Sequence, residues 1–82
     1  MTRLKYLNTM AQLVLYNDKV NSYMKVKACL IRYCEHLPIQ AEQCTLIAHN
    51  VGKCNIKEGD FMDLFEIKSQ LEEHNLKVEL IS

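Results

Sequence analysis

Over residues 12–16 the apolar positions crowd together. The run AQLVLYND has the aliphatic and β-branched content of a strand. Leu13 and Leu15 are expected on one face, with Val14 and Tyr16 on the other. Asn17-Asp18 ends the run with turn chemistry. The period then lengthens. In NSYMKVKACLIRYCEHL, the residues Tyr23, Val26, Leu30, Tyr33, Cys34 and Leu37 recur at helical spacing. Asn21 or Ser22 is the expected N-cap, and Lys25, Lys27 and Arg32 fall mostly off the stripe.

Pro38 suits the first turn of a second helix running to about Asn50. Its expected buried side is Ala41, Cys44, Ile47, Ala48 and Val51, and Gly52 is placed to end it in a left-handed conformation. KCNIK alternates weakly and predicts a short strand closed by Glu58-Gly59. Asp60 is the expected cap of a third helix, with Asp63 in a capping-box-like position. Phe61, Leu64, Ile67 or Lys68, and Leu71 keep the helical period, and Asn75 is the expected stop. LKVELI alternates again, which puts Leu76, Val78 and Leu80 inward on a last strand.

The order is therefore β-α-α-β-α-β. The pattern predicts an α+β fold in one small domain: a three-stranded antiparallel sheet with helices packed on one face, which buries every stripe. Residues 1–10 are weakly patterned and are expected to be a short N-terminal arm, with the core over 11–82. At 82 residues one domain is the expectation, and a binding module suits that size better than an enzyme with a large cleft and a cofactor domain.

Charge changes the picture only in its distribution. The formal net charge is zero, but residues 1–41 carry +4 and residues 42–82 carry −4. Such a dipolar chain is unlike a uniformly basic nucleic-acid binder, and the six aromatics are not interleaved with a basic patch. No run reaches membrane-spanning length and no signal-peptide core is visible, so no membrane partner and a cytoplasmic location are expected. Cys29, Cys34, Cys44 and Cys54 lack the Cys-x-x-Cys spacing of zinc or redox motifs, and read as small buried hydrophobes.

The candidate chemistry centres on His49 in TLIAHNVGKC. It could be a metal ligand, half of a Cys/His pair with Cys54 or Cys44, a core residue, or part of a pocket. A zinc site needs three or four converging ligands, and His36, His49, His74 and the cysteines show no paired spacing; no metal or other cofactor is expected. A nucleophile pair needs an orienting group that the spacing does not supply. The pocket alternative requires the end of the first strand to meet the end of the second helix. Asn17, Asp18 and His49 would then converge as a set suited to an ammonium group. Leu15, Tyr23, Val26, Thr45 and Ala48 could wall an apolar cavity beside them. Capture of an N-terminal amine with one large side chain is a known mode of recognition.

LVLYNDKVNSYMKV, QAEQCTLIAHNVGKC and the closing LKVELI resemble the ClpS family, adaptors of the ATP-dependent Clp protease. The resemblance covers roughly residues 11–82. It implies a non-enzymatic adaptor without a cofactor. Such a protein binds N-degron substrates, whose first residue is Leu, Phe, Tyr or Trp with a free α-amino group, and hands them to a ClpA- or ClpC-like ATPase. By this resemblance Asn17 contacts the substrate amine, Asp18 is the first acid of the family's Asn-Asp-Asp run, and His49 is the pocket histidine. Tyr23 falls where the family often has a methionine that screens against β-branched first residues. Leu15, Val26, Thr45 and Ala48 match pocket-wall positions.

The chain also departs from the family. Lys19 stands for the second acid, which puts a cation where an ammonium contact is expected. Asn21-Ser22 replaces the usual Thr-Pro. About ten residues precede the first strand, so the family's N-terminal extension is expected to be nearly absent. The usual Glu-Thr-Lys of the third helix is not recognisable in MDLFEIK. These departures support a second expectation, a regulatory module that docks on the Clp ATPase with weakened or altered N-degron binding.

Overall fold

The structure is a computed structural model and describes residues 10–82. The expected arm over 1–10 lies outside the described residues except for Met10, which is already the first residue of a strand. The elements are β1 (Met10–Tyr16), α1 (Tyr23–Cys34), α2 (Pro38–Val51), β2 (Lys53–Asp60), α3 (Phe61–Glu73) and β3 (Val78–Ile81). The order is the β-α-α-β-α-β read from the sequence. β1 is the central strand of the sheet order β2-β1-β3, antiparallel to both neighbours.

The sheet has one core face. Ala11, Leu13 and Leu15 point into a cluster with Cys29, Leu30 and Cys34 of α1, Ala41 and Ala48 of α2, and Leu64 and Leu71 of α3. Strand periodicity sends Gln12, Val14 and Tyr16 to the opposite face. There Gln12 donates to Glu58 at 3.2 Å and the Tyr16 hydroxyl donates to Glu79. Val14 is buried on that face too, between its register partners Asn55 and Glu79.

β2 is longer than KCNIK suggests. It runs through Glu58-Gly59 to Asp60, because Ala11 and Met10 of β1 pair with Gly59 and Asp60. Leu13 pairs with Lys57 and Val14 with Asn55, so Ile56 is the extra residue of a bulge. The bulge turns Ile56 into the core, and its carbonyl accepts from the buried His36 ring at 2.7 Å.

Local capping chemistry ends the helices. Ser22 Oγ accepts from the Lys25 amide at 3.2 Å at the start of α1. α1 stops at Cys34, three residues short of the expected stripe. Glu35 takes a left-handed conformation (φ 59°), and Lys57 Nζ donates to the Cys34 carbonyl at 3.2 Å. Leu37 is thus 67% exposed, held extended ahead of Pro38 as the N-cap of α2. Asp60 caps α3 by accepting from the Met62 amide at 3.0 Å. Asn75 (φ 67°) reverses the chain after it.

α2 differs from expectation in its phase. Ala41, Thr45 and Ala48 are buried and Cys44 is half-buried, while Ile47 and Val51 are 45% and 74% exposed. This helix is apolar on several sides, so its period does not select the buried face. The small residues at 41 and 48 allow close approach to the core, and the larger ones remain outside.

Candidate functional site

Two hydrogen bonds at the end of β1 build the site. The Tyr16 amide donates to the Lys77 carbonyl and the Asn17 amide to the Gly52 carbonyl, both at 2.9 Å. The second bond joins the end of β1 to the end of α2. Gly52 makes it possible by ending α2 at φ 109°, with its own amide donating to the Ala48 carbonyl. His49, in the last turn of α2, is thereby brought to Asn17 from about thirty residues further along the chain.

A cleft of about 660 Å³ opens at this junction. Its lining includes all eight candidate residues: Asn17, Asp18 and His49, and Leu15, Tyr23, Val26, Thr45 and Ala48. Leu15 is 2% exposed and forms floor. Thr45 is buried with its hydroxyl donating to the Ala41 carbonyl at 2.7 Å, so it serves as apolar wall. Tyr23 stands partly exposed over the cleft. Desolvation, then the nearby Glu42 carboxylate, raise its phenol pKa. Asn17 and His49 are exposed, and neither side chain has a hydrogen-bond partner among the described residues.

Asp18 is differently placed. Its Oδ1 accepts from the amides of Val20 (2.8 Å) and Asn21 (2.7 Å), and its Oδ2 accepts from Asn21 Nδ2 at 2.8 Å. Desolvation works to raise its pKa. The hydrogen bonds from Asn21 and Val20, with the charge of Lys77, outweigh it and hold the pKa below its usual value. One acceptor position on Oδ2 stays open, so the carboxylate chiefly shapes the turn.

Tyr16, Lys19, Asn21 and Leu46 complete the lining. Asn21 was legible only as a cap candidate. Its Nδ2 also donates to the Asn75 carbonyl at 2.8 Å, tying the turn to the α3–β3 connection, and its buried Oδ1 has no partner among the described residues. Leu46 is half exposed next to Thr45, and no periodic signal marks it.

The remaining histidines and the cysteines lie elsewhere. His36 is bonded to the β2 bulge and His74 to the Tyr33 hydroxyl at 2.8 Å. Cys29, Cys34 and Cys54 are buried free thiols and Cys44 is half-buried. Burial pushes Cys34 and Cys54 up to about 12, with Cys44 beside Cys54 adding to its rise. Among the described residues no three His, Cys, Asp or Glu side chains are grouped to hold a metal ion, and no helix is long and apolar enough to cross a membrane.

The arrangement can therefore take an apolar side chain against Leu15, Val26, Thr45 and Ala48, with polar groups at its rim. A family profile described as "ATP-dependent Clp protease adaptor protein ClpS" matches residues 7–79. No curated protein sequence matches the chain. Among solved structures, the chain is similar to Agrobacterium tumefaciens ClpS2 bound to L-phenylalaninamide. The two are 14% identical over 88% of this chain and 96% of that one, with a TM-score of 0.70. At that identity the likeness is one of fold, the three strands and three helices in β-α-α-β-α-β order.

Proposed function

The chain belongs to the ClpS family of Clp protease adaptors, and from that premise we propose that it binds N-degron substrates and delivers them to a ClpA- or ClpC-like ATPase. The substrate class is a polypeptide with a large hydrophobic first residue, Leu, Phe, Tyr or Trp, and a free α-amino group. The observation that carries this reading is that Asn17 and His49, both exposed, line one apolar cleft.

In this reading the first side chain enters the cleft, which contributes about 2–3 kcal/mol for a Leu or Phe. The α-ammonium donates to Asn17 Oδ1 and to a neutral His49 nitrogen, with the open position on Asp18 Oδ2 as a third acceptor. Charge-assisted hydrogen bonds contribute roughly 1.5–3 kcal/mol each. Micromolar affinity needs about 8 kcal/mol, so neither half suffices alone. That a protein of this fold binds L-phenylalaninamide supports the reading, since that molecule pairs a free amine with a large apolar side chain. The test is a titration of peptides starting with Leu or Phe, each with a free and an acetylated N-terminus. The free form should bind and the acetylated form should not; equal binding of the two overturns the reading.

A second reading keeps the ATPase docking but weakens or alters degron binding. The engagement of both Asp18 oxygens within the turn, and Lys19 on the cleft lining, favour it. Lys19→Asp should then raise affinity for a Leu-started peptide sharply, and an unchanged affinity counts against it.

A further inference from the structure

One face of α2 runs along the cleft. Thr45, Leu46 and His49 line it. Glu42 precedes them at the i+3, i+4 and i+7 spacing that keeps side chains on one helix face. Glu42 therefore continues the cleft-facing stripe one turn toward the start of α2. It is half-buried, whereas Gln40 and Gln43 near it are exposed. A carboxylate so placed is stabilised by a donor. Among the described residues the one ion pair is Lys68–Glu72 on α3, so no lysine or arginine neutralises Glu42.

Tyr23 is the donor at hand. It lines the cleft from the first turn of α1, which packs against α2. The Glu42 carboxylate lies beside it and, after desolvation, is what raises the phenol pKa. A carboxylate only accepts, so a bond between the two runs from the Tyr23 hydroxyl to Glu42. That bond spans from α1 to α2. A partly exposed ring without it turns about its side-chain bonds and swings aside for a wide ligand. A ring tethered at its hydroxyl does not.

Resting on the N-degron reading above, we propose that Glu42 is a positioning residue for Tyr23: its carboxylate accepts from the Tyr23 hydroxyl and holds the ring over the cleft, which excludes a first residue branched at Cβ. Glu42 is not itself on the cleft lining. It sets specificity through the ring. Leu, narrow at Cβ, passes the tethered ring, and Ile and Val, wide at that atom, do not.

The test is the ratio of affinities for two free-amine peptides that differ only in starting with Leu or Ile. It is measured on the full chain, Tyr23→Phe, Glu42→Ala, Glu42→Gln and Tyr23→Phe/Glu42→Ala. The unaltered chain should favour Leu by at least about tenfold. Tyr23→Phe keeps the ring and removes the donor. It and Glu42→Ala should each cut the preference at least about threefold, as expected for one lost hydrogen bond. The double variant should lose no more than the larger single loss, because both act through one bond. Glu42→Gln keeps an acceptor and should retain more of the preference than Glu42→Ala. An unchanged ratio in Glu42→Ala, losses that add in the double variant, a Gln variant as permissive as the Ala variant, or equal binding of Leu and Ile by the unaltered chain overturns the proposal while leaving N-degron binding intact. Failure of the Leu peptide to bind overturns both.

Discussion

The amide of Asn17 donates to the carbonyl of Gly52 at 2.9 Å, and this one bond holds the end of β1 against the end of α2. Gly52 has φ 109°, yet a methyl group placed on it would meet nothing within 4 Å. Gly52→Ala therefore tests backbone strain alone, without a clash. It should cost about 1–2 kcal/mol of stability, read from the denaturant midpoint. It should also weaken peptide binding, because His49 leaves the helix three residues earlier.

Asn17 and His49 are exposed on the cleft lining, and among the described residues their side chains have no hydrogen-bond partner. Their removal should spare the fold and harm the ligand. Asn17→Ala and His49→Ala should each weaken a Leu-started peptide at least about tenfold, or about 1.4 kcal/mol. Thermal unfolding should shift little in either. Calorimetric titration and melting of the same samples separate the two effects.

Tyr23 projects over the cleft from the first turn of α1. A bulky ring there leaves poor room for a side chain branched at Cβ, which is stiff and wide at its base. Tyr23→Ala should admit peptides starting with Ile or Val that the unaltered chain rejects. Fluorescence anisotropy with matched Leu and Ile peptides measures the change, and continued rejection of Ile assigns Tyr23 to the wall alone.

The Asp18 turn predicts an acid dependence. The folded pKa lies below the ordinary 3.8. The contribution of Asp18 to stability is therefore complete above that value and is lost as pH falls through the folded pKa. Asp18→Asn should lower stability by about 1 kcal/mol at pH 7 through weaker acceptance from two amides. The difference between the two proteins should shrink at pH 3, as read from urea unfolding at both pH values.

Cys34 and Cys54 carry pKa values pushed from 9.0 up to about 12, first by burial. The folded state then holds these protons more tightly than the unfolded chain. Stability from them is complete below pH 9 and falls as pH rises from 9 toward 12. Urea midpoints should accordingly decline above pH 9. At pH 8 iodoacetamide should label Cys34 and Cys54 slowly in the native protein and quickly in urea, with peptide mass spectrometry identifying the sites.

Much of this fold is legible in local chemistry. Leu13 and Leu15 alternate against Val14 and Tyr16 as read, and Ser22, Gly52, Asp60 and Asn75 punctuate the elements where their side chains or backbone preferences put them. These features depend on a few adjacent residues. The expectations that differ depend on partners far along the chain. Ile47 and Val51 are apolar but exposed, since α2 presents Ala41, Thr45 and Ala48 to its neighbours. Glu58-Gly59 resembles a turn, yet Ala11 and Met10 draw it into β2. His36 had no assigned place in the local pattern, and packing buries it with its ring bonded to the Ile56 carbonyl at the bulge.

By itself the sequence determined the element order, the strand faces, the helix caps and a list of residues suited to an apolar pocket with a polar rim. Capping and alternation are short-range forces, so they are written in neighbouring letters. Only the tertiary structure decided that Asn17 and His49 line one cleft, and that Asp18 turns its oxygens mainly to its own turn. Those facts come from strand pairing and from the packing of α2, which join residues that share no local pattern.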